Sequence, residues 1–69
     1  MSKKISPIAR NIKRLRKEKG FSQDRLSKEA DVTYHTIAKL ESGENENPTV
    51  KTLQKIALAL NVNIDDLLY

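Results

Sequence analysis

Two helix beginnings that follow the same pattern constrain the fold more than any other feature of the sequence. Each has an apolar residue, a capping hydroxyl residue and then an apolar residue four positions after the cap, which is the spacing of a hydrophobic staple. The two triplets are Phe21, Ser22 and Leu26, then Val32, Thr33 and Ile37. Only Asp31 and Val32 separate the first helix from the second cap. The two predicted helices must therefore meet at a steep angle.

The rest of the chain also has helical rather than strand-like spacing. No segment alternates apolar and polar residues with a period of two, whereas apolar residues recur every three or four positions. We therefore predict an all-α fold, a compact bundle of five helices. The predicted caps and end residues are, in chain order, Ser6 and Gly20 for helix 1, Ser22 for helix 2, Thr33 and Gly43 for helix 3, Thr49 and Asn61 for helix 4, and Asn63 for helix 5.

Apolar side chains on one side of each helix are expected to form the core. The predicted core residues are Ile8, Ile12, Leu15, Leu26, Ala30, Ile37, Leu40, Val50, Leu53, Ile56, Ala57 and Leu60. The apolar residues of helix 5 either complete this core or contact a second copy of the chain, and both alternatives stay open because the bundle is small. This last set is Ile64, Leu67, Leu68 and Tyr69.

The length of the chain limits what it contains. Its 69 residues allow one domain, for which we expect residues 6–69 behind a basic tail at 1–5. We expect no separate domain for a small-molecule ligand. Because there is no cysteine, disulfides, thiolate metal sites and thiol nucleophiles are excluded. No apolar stretch approaches the roughly 20 residues that cross a bilayer, so we expect a cytoplasmic protein with no membrane partner.

Basic residues are concentrated in the first third of the chain. Residues 1–20 hold eight Lys or Arg against one acid, whereas residues 41–69 hold two Lys against five acids. A basic surface of this kind either binds a polyanion such as nucleic acid or is simply solvated, and charge alone leaves both interpretations open. The basic side chains predicted to face away from the core of helix 1 are Arg10, Lys13, Arg14 and Lys17.

The outer side of helix 3 favours nucleic acid. At about 100° per residue, Ile37 and Leu40 lie together on the inner side of this helix. The side chains opposite can donate and accept hydrogen bonds, stack, and contact a thymine methyl group, so they fit the major groove of B-form DNA. This outer strip consists of Tyr34, His35, Ala38, Lys39 and Ser42, with Thr36 at its far edge.

The segment SQDRLSKEADVTYHTIAKLESG resembles the helix-turn-helix of Cro and the phage repressors, the Xre-type class. Gln23 stands where this class has a glutamine at the start of the second helix, and Leu40, Glu41 and Gly43 match its closing residues. The resemblance continues through NPTVKTLQKIALALNV and IDDLL, and covers about residues 8–68. It implies a lambda-repressor-like fold and a sequence-specific regulator of transcription. We expect a repressor that binds double-stranded DNA as a homodimer on an inverted repeat.

The resemblance also implies roles for matched positions. Arg16 and Glu41 match a family pair that joins helix 1 to helix 3. Base contacts are expected from Tyr34, His35 and Lys39, which stand where family members contact bases, and the helical angles add Ala38 and Ser42 of the outer strip. Phosphate contacts are expected from Gln23, Thr33, Thr36, Asn45 and Asn47, together with Arg10 on the basic side of helix 1.

Three features depart from the family pattern. Asp31 replaces the glycine usual in the turn, and Asp tolerates the left-handed backbone better than most residues. Ser27 replaces a usual alanine of similar size. Glu44 and Glu46 lie in the loop where family members often have basic residues. This shifts the expected phosphate contacts to Gln23, the loop asparagines and helix 1.

Two other classes of function compete with DNA binding. A helix-turn-helix module also docks other proteins, as in a coactivator or an antitoxin, with weak unspecific DNA binding, and the acidic C-terminal half permits this alternative. An enzyme would need paired carboxylates, a phosphate-binding glycine loop, a metal cluster or a nucleophile beside a base, and the sequence has none of these arrangements. His35 is the only histidine and forms no metal site alone. We expect no cofactor and no metal.

Overall fold

Five helices make up the part of the chain that the computed structural model describes, residues 7–45 and 47–69. They are α1 (Pro7–Glu18), α2 (Gln23–Ala30), α3 (Tyr34–Ser42), α4 (Val50–Leu60) and α5 (Asp65–Leu68). No strand is present in these two ranges, so the predicted all-α bundle of five helices is confirmed. The basic tail at 1–5, the predicted cap Ser6 and the loop residue Glu46 lie outside the described residues.

Three of the helices begin at the hydroxyl caps that the sequence predicts. Each capping residue has an extended backbone, and its side-chain oxygen accepts a hydrogen bond from the backbone N–H three residues later. This bond satisfies one of the N–H groups that a helix N-terminus leaves without a partner. The pairs are Ser22 with Arg25 at 2.9 Å, Thr33 with Thr36 at 3.1 Å, and Thr49 with Thr52 at 3.1 Å.

The prediction that Asn63 caps the last helix is wrong. The residue before α5 is Ile64, which is already helical (φ −60°, ψ −31°), and no side-chain cap is formed. Hydrogen bonds from the N–H of residue i+3 to the carbonyl of residue i tighten this turn. In one of them, the Asp66 N–H donates to the Asn63 carbonyl at 2.9 Å. The Asp66 carboxylate instead accepts from the Asn63 N–H at 3.0 Å.

The short connections use left-handed residues where the sequence predicts them. Asp31 has φ 57° and ψ 47°, and its N–H and that of Val32 donate to the carbonyls of Lys28 and Ser27. Asn61 ends α4 with nearly the same angles, φ 59° and ψ 45°. Gly43 ends α3 at φ 86°. The turn between α2 and α3 therefore keeps its left-handed geometry without a glycine.

The core lies where all five helices meet. Seven of its side chains have less than 2% of their surface exposed, namely Ile12, Leu26, Ile37, Leu40, Ile56, Leu60 and Leu67. The prediction that Val50 belongs to this core is wrong, because 63% of its surface is exposed. A helical side chain leans towards the turn before it, and Val50 is the first residue of α4, so no earlier turn of α4 covers it.

The apolar residues at the C-terminal end divide between core and surface. Leu67 has 0% exposed surface, so it belongs to the core and its side chain is not accessible to a second copy of the chain. Ile64 and Leu68 are half-buried against the core, whereas Tyr69 is 91% exposed. Asn11 on α1 is buried and donates from Nδ2 to the carbonyl of Leu67 at 3.0 Å. This bond joins the first helix to the last.

Candidate nucleic-acid interface

The outer strip of α3 faces away from the core, as its predicted spacing requires. Ile37 and Leu40 have 0% and 1% of their surface exposed, which fixes the opposite side of the helix in the bundle. In the strip, Tyr34 is 51% exposed. His35, Lys39 and Ser42 are exposed, whereas Ala38 and the edge residue Thr36 are half-buried. The predicted base-contacting side chains thus share one accessible face of one helix.

Ser42 differs from the rest of the outer strip because its hydroxyl has partners at the end of α3. Its Oγ donates to the Lys39 carbonyl at 3.1 Å and accepts from the Glu44 N–H at 3.3 Å. A serine hydroxyl has a single hydrogen to donate. In this arrangement Ser42 can therefore offer a base only an acceptor.

The N-terminus of α3 presents two hydroxyls beside backbone N–H groups. Thr33 Oγ1 accepts from the Thr36 N–H, and the two Oγ1 atoms are hydrogen-bonded to each other at 2.8 Å. Helix N-termini carry a partial positive charge and favour anions. A phosphate oxygen beside Thr33 and Thr36 would be stabilised by a hydrogen bond from a hydroxyl group and by the dipole of α3.

In the loop after α3, hydrogen bonds hold the two predicted asparagines in place. The N–H of Asn45 donates to the Lys39 carbonyl at 3.2 Å, which holds the loop against the end of α3. Asn45 Oδ1 accepts from the Asn47 N–H at 3.1 Å. Phosphate oxygens accept hydrogen bonds, so Asn45 would approach a phosphate through the N–H donors of its side-chain amide, whose oxygen the Asn47 N–H holds in place.

Arg16 and Glu41 form the ion pair between α1 and α3 that the sequence predicts. Arg16 Nε lies 2.6 Å from Glu41 Oε2, and Nη2 lies 3.0 Å from Oε1. The side chains are 10% and 3% exposed. A third bond runs from Arg16 Nη1 to the Phe21 carbonyl at 2.7 Å. The hydrogen bond to Glu41 raises the pKa of Arg16 above its ordinary value, opposed by burial and assisted by the charge of Glu41.

Gln23 belongs to the same network, which the sequence pattern does not indicate. Its Nε2 donates to Glu41 Oε1 at 3.0 Å, so one of its two amide hydrogens is engaged and the other remains for a ligand. The carboxylate of Glu41 thus orients a predicted phosphate contact on α2 as well as Arg16. The sequence reasoning also does not identify Asn11, which bonds to the Leu67 carbonyl. The sign in the sequence is a polar residue within the apolar stripe of α1, one position before Ile12.

Four basic side chains of α1 line a shallow hollow of about 360 Å³. Arg14 donates to Glu18 at 3.3 Å within the same helix, so part of its charge is neutralised there. The hollow is lined by Ala9, Arg10, Lys13, Arg14, Lys17 and Glu41. It places the predicted phosphate contact Arg10 among other cations, on the helix that Glu41 joins to α3.

The described residues show neither a metal cluster nor a membrane span. No group of three or more His, Cys, Asp or Glu that could hold a metal ion occurs in residues 7–45 and 47–69. Over the same ranges, every helix is too short or too polar to span a bilayer.

Comparisons with known proteins match this architecture. Residues 12–67 match the helix-turn-helix family. The HTH-type transcriptional regulator SinR of Bacillus subtilis (strain 168) is 34% identical over 61 residues, which are 88% of this chain and 55% of SinR. SlrR of the same organism, also an HTH-type transcriptional regulator, is 37% identical over 60 residues, 87% of this chain and 40% of SlrR. The chain spans about half the length of these relatives.

A solved structure agrees with the sequence matches. The crystal structure of SinR, a master regulator for biofilm formation, in complex with DNA superposes with a TM-score of 0.87 at 34% identity, and the match covers 90% of this chain and 98% of that one. The matched segment 12–67 contains the outer strip, the turn at Asp31 and both partners of the Arg16–Glu41 pair. The chain therefore belongs to the Cro/C1-type, Xre-like helix-turn-helix family.

Proposed function

We propose that this chain binds double-stranded DNA in a sequence-specific manner and regulates transcription, with α3 in the major groove. The observation that carries the proposal is the outer strip, in which an aromatic ring, an imidazole and an ammonium group are exposed on a helix whose other side is buried. These groups differ in the hydrogen bonds and contacts that they can make with base edges. SinR, the relative whose structure was solved with DNA, supports the choice of partner.

Phosphate contacts are proposed to set the register of α3. The groups that flank the strip are the hydroxyls at the start of α3, the second amide hydrogen of Gln23, the loop asparagines and the cations of α1. Contacts to phosphates position a protein on the duplex, and contacts to base edges specify the sequence. The carboxylate of Glu44 in the loop opposes phosphate, so α1 and the N-terminal ends of α2 and α3 carry most of this role.

We further propose that two copies bind an inverted repeat and act as a repressor. A two-fold pair would place its α3 helices in half-sites about 34 Å apart, one turn of B-form DNA. Bound across a promoter, such a dimer would exclude the transcription machinery from the same duplex. In a homodimer, the second copy of the same chain contacts the second half-site, so no other protein is needed.

Selection of binding sites from a random duplex library tests this function directly. The purified chain is mixed with the library at near-physiological salt, and the bound sequences are determined. We expect enrichment of an inverted repeat whose half-site spacing reports the geometry of the dimer. Absence of any enriched sequence would contradict the proposal that the outer strip recognises bases.

A protein-docking module is the second candidate, and the charge of the C-terminal half favours it. Residues 41–69 hold five acids and two lysines, a balance that suits a basic protein partner better than DNA. This function predicts weak DNA binding that does not depend on sequence. The same selection experiment therefore decides between the two candidates.

A further inference from the structure

An exposed leucine on α4 borders an uncharged hollow. Leu58 has 81% of its surface exposed, more than Val50 on the same helix at 63%. The hollow beside it has a volume of about 340 Å³ and no charged residue in its lining. We name it the α4 hollow, and it is lined by Gln54, Ala57, Leu58, Val62, Asn63 and Ile64.

Leu58 and the α4 hollow complement each other when two copies of the chain meet. A single exposed leucine needs no explanation, but here a protruding apolar side chain stands beside an uncharged depression whose lining is mostly apolar. In the depression Ala57 is 5% exposed, and Val62 and Ile64 are half-buried against the core. A two-fold interface uses the same patch on both copies and must be self-complementary. A protrusion beside a depression meets that condition, since each leucine can enter the hollow of the other copy.

Charges around the α4 hollow also favour a second copy. The exposed Lys51 lies two turns before Leu58 on α4, and the exposed Asp65 follows Ile64 at the start of α5. The other lysine of α4, Lys55, donates to the Asp31 carbonyl at 3.4 Å and is thereby held towards the turn between α2 and α3. If the two-fold axis passes between Lys51 and Asp65, Lys51 of one copy lies opposite Asp65 of the other.

We propose that Leu58 and the α4 hollow form the contact between two copies of this chain. The inference rests on the proposed function, because it assigns a surface to the dimer proposed there. It moves the centre of that contact from the C-terminal apolar residues, of which Leu67 is buried, to the outer side of α4. None of the residues that line the hollow belongs to the outer strip of α3, so the proposed dimer contact and the proposed DNA contact use different residues.

The dimer of the free chain should be weak. Stable interfaces bury about 800 Å² on each partner, a large share of the 4792 Å² surface of this chain. One leucine and one shallow hollow per copy make a smaller contact, so we expect association in the micromolar range or weaker. Binding of both copies to one inverted repeat would add the DNA contacts and raise the population of the dimer.

Sedimentation equilibrium with one disruptive variant and one matched control tests the interface. Leu58→Glu places two like charges at the proposed contact, whereas Val50→Glu adds the same charge to an exposed apolar position of α4 that does not line the hollow. We expect the wild type to associate with rising concentration. Leu58→Glu should weaken the dimer at least about thirtyfold, as removal of a central interface residue does, and Val50→Glu should leave it unchanged. Both variants should melt like the wild type, because both positions are exposed.

Cross-linking supplies an independent measurement, since the chain contains no cysteine. Leu58→Cys and Val50→Cys each introduce a single thiol, which a short bismaleimide can join to its copy. We expect covalent dimers from Leu58→Cys, both in the free chain at high concentration and on a duplex with an inverted repeat, and far fewer from Val50→Cys. Equal cross-linking at the two positions would overturn the assignment of the surface.

A DNA-binding comparison separates failure of the interface from failure of the proposed function. On a duplex with a single half-site, Leu58→Glu should bind like the wild type, and on the full inverted repeat it should lose cooperative binding. A wild-type chain that binds the half-site but forms no dimer, free or on the repeat, overturns the interface and keeps the DNA-binding function. A dimer that persists in Leu58→Glu also overturns it. A chain that dimerises through Leu58 but binds no duplex supports the interface and contradicts the function.

Discussion

The carboxylate of Glu41 accepts hydrogen bonds from two side chains that lie on different helices. Arg16 reaches it from α1 and Gln23 from α2, while Glu41 itself lies on α3. Because the Glu41 side chain is almost fully buried, removing its charge would leave the guanidinium of Arg16 without its counter-charge in a low-dielectric environment. Removal of one partner of a buried ion pair costs about 3–5 kcal/mol.

Glu41→Gln should therefore lower the free energy of unfolding by about 3 kcal/mol, as measured by urea denaturation near neutral pH. The matched control is Glu18→Gln, which breaks the exposed pair with Arg14 and should cost less than about 0.5 kcal/mol. The raised pKa of Arg16 means that its charge contributes fully near neutral pH, and this contribution is lost as the pH rises through the raised value. Equal destabilisation by the two variants would contradict this account of the pair.

Asp31 adopts a backbone conformation that disfavours residues with a Cβ atom. Its φ of 57° is in the left-handed region, which costs a non-glycine residue roughly 1 kcal/mol. We predict that Asp31→Gly raises the melting temperature, by about 4–8 °C for each kcal/mol gained in a domain of this size. Asn61→Gly at φ 59° is the comparison, and its gain should be smaller because Asn, after Gly, is the residue used at the left-handed position that ends a helix. A melting temperature of Asp31→Gly that stays the same or falls would refute the prediction.

At the scale of elements, the cap of α3 has two consequences. Thr33→Ala removes the hydroxyl that accepts the Thr36 N–H and should cost about 1 kcal/mol of stability. It should also weaken DNA binding, because the same hydroxyl lies at the proposed phosphate contact. Ile56→Val, in the core of α4, costs a similar amount, about 0.5–1.5 kcal/mol, without touching that end of α3. Binding measured by fluorescence anisotropy on a selected duplex should fall only for Thr33→Ala, and equal affinities would argue against the contact.

Helix starts were predictable from sequence because their causes are local. The hydroxyls of Ser22, Thr33 and Thr49 bond within their own first turn, so four residues are enough to show them. The prediction for Asn63 is wrong because its carbonyl accepts from the Asp66 N–H and its N–H donates to the Asp66 carboxylate. Spacing alone does not decide between such local arrangements. The prediction that Val50 is in the core is wrong because periodicity gives the direction of a side chain but not whether other residues cover it.

The candidate site was predictable to different degrees. The exposed side of α3 follows from the position of Ile37 and Leu40, so spacing alone identifies the strip. The link from Gln23 to Glu41 joins residues 18 positions apart, and helical periodicity carries no information over such a separation. The engagement of Ser42 by its own helix end depends on hydroxyl orientation, which only the structure shows.

At the scale of the whole molecule, charge predicts how binding responds to salt. If a dimer neutralises about eight phosphates, the logarithm of affinity should fall with the logarithm of salt concentration with a slope near −7. Arg10→Gln should make this slope less negative by about 0.9 for each phosphate that it leaves without a cation. Lys19→Gln is the control, since Lys19 lies beside Leu60 and Asn61 and not in the basic hollow of α1. An affinity that does not change with salt would contradict the proposed phosphate contacts.

The central claim is that the outer strip of α3 recognises bases, and the affinity of His35→Ala for every single-base variant of the selected site tests it most directly. His35 is exposed in the middle of the strip and takes no part in the core, so the variant should fold like the wild type. We predict that it loses discrimination at one base pair in each half-site, by about 1–3 kcal/mol, and keeps its preferences elsewhere and its dependence on salt. An unchanged preference at every position, with the same result for Tyr34→Ala and Lys39→Ala, would contradict the claim.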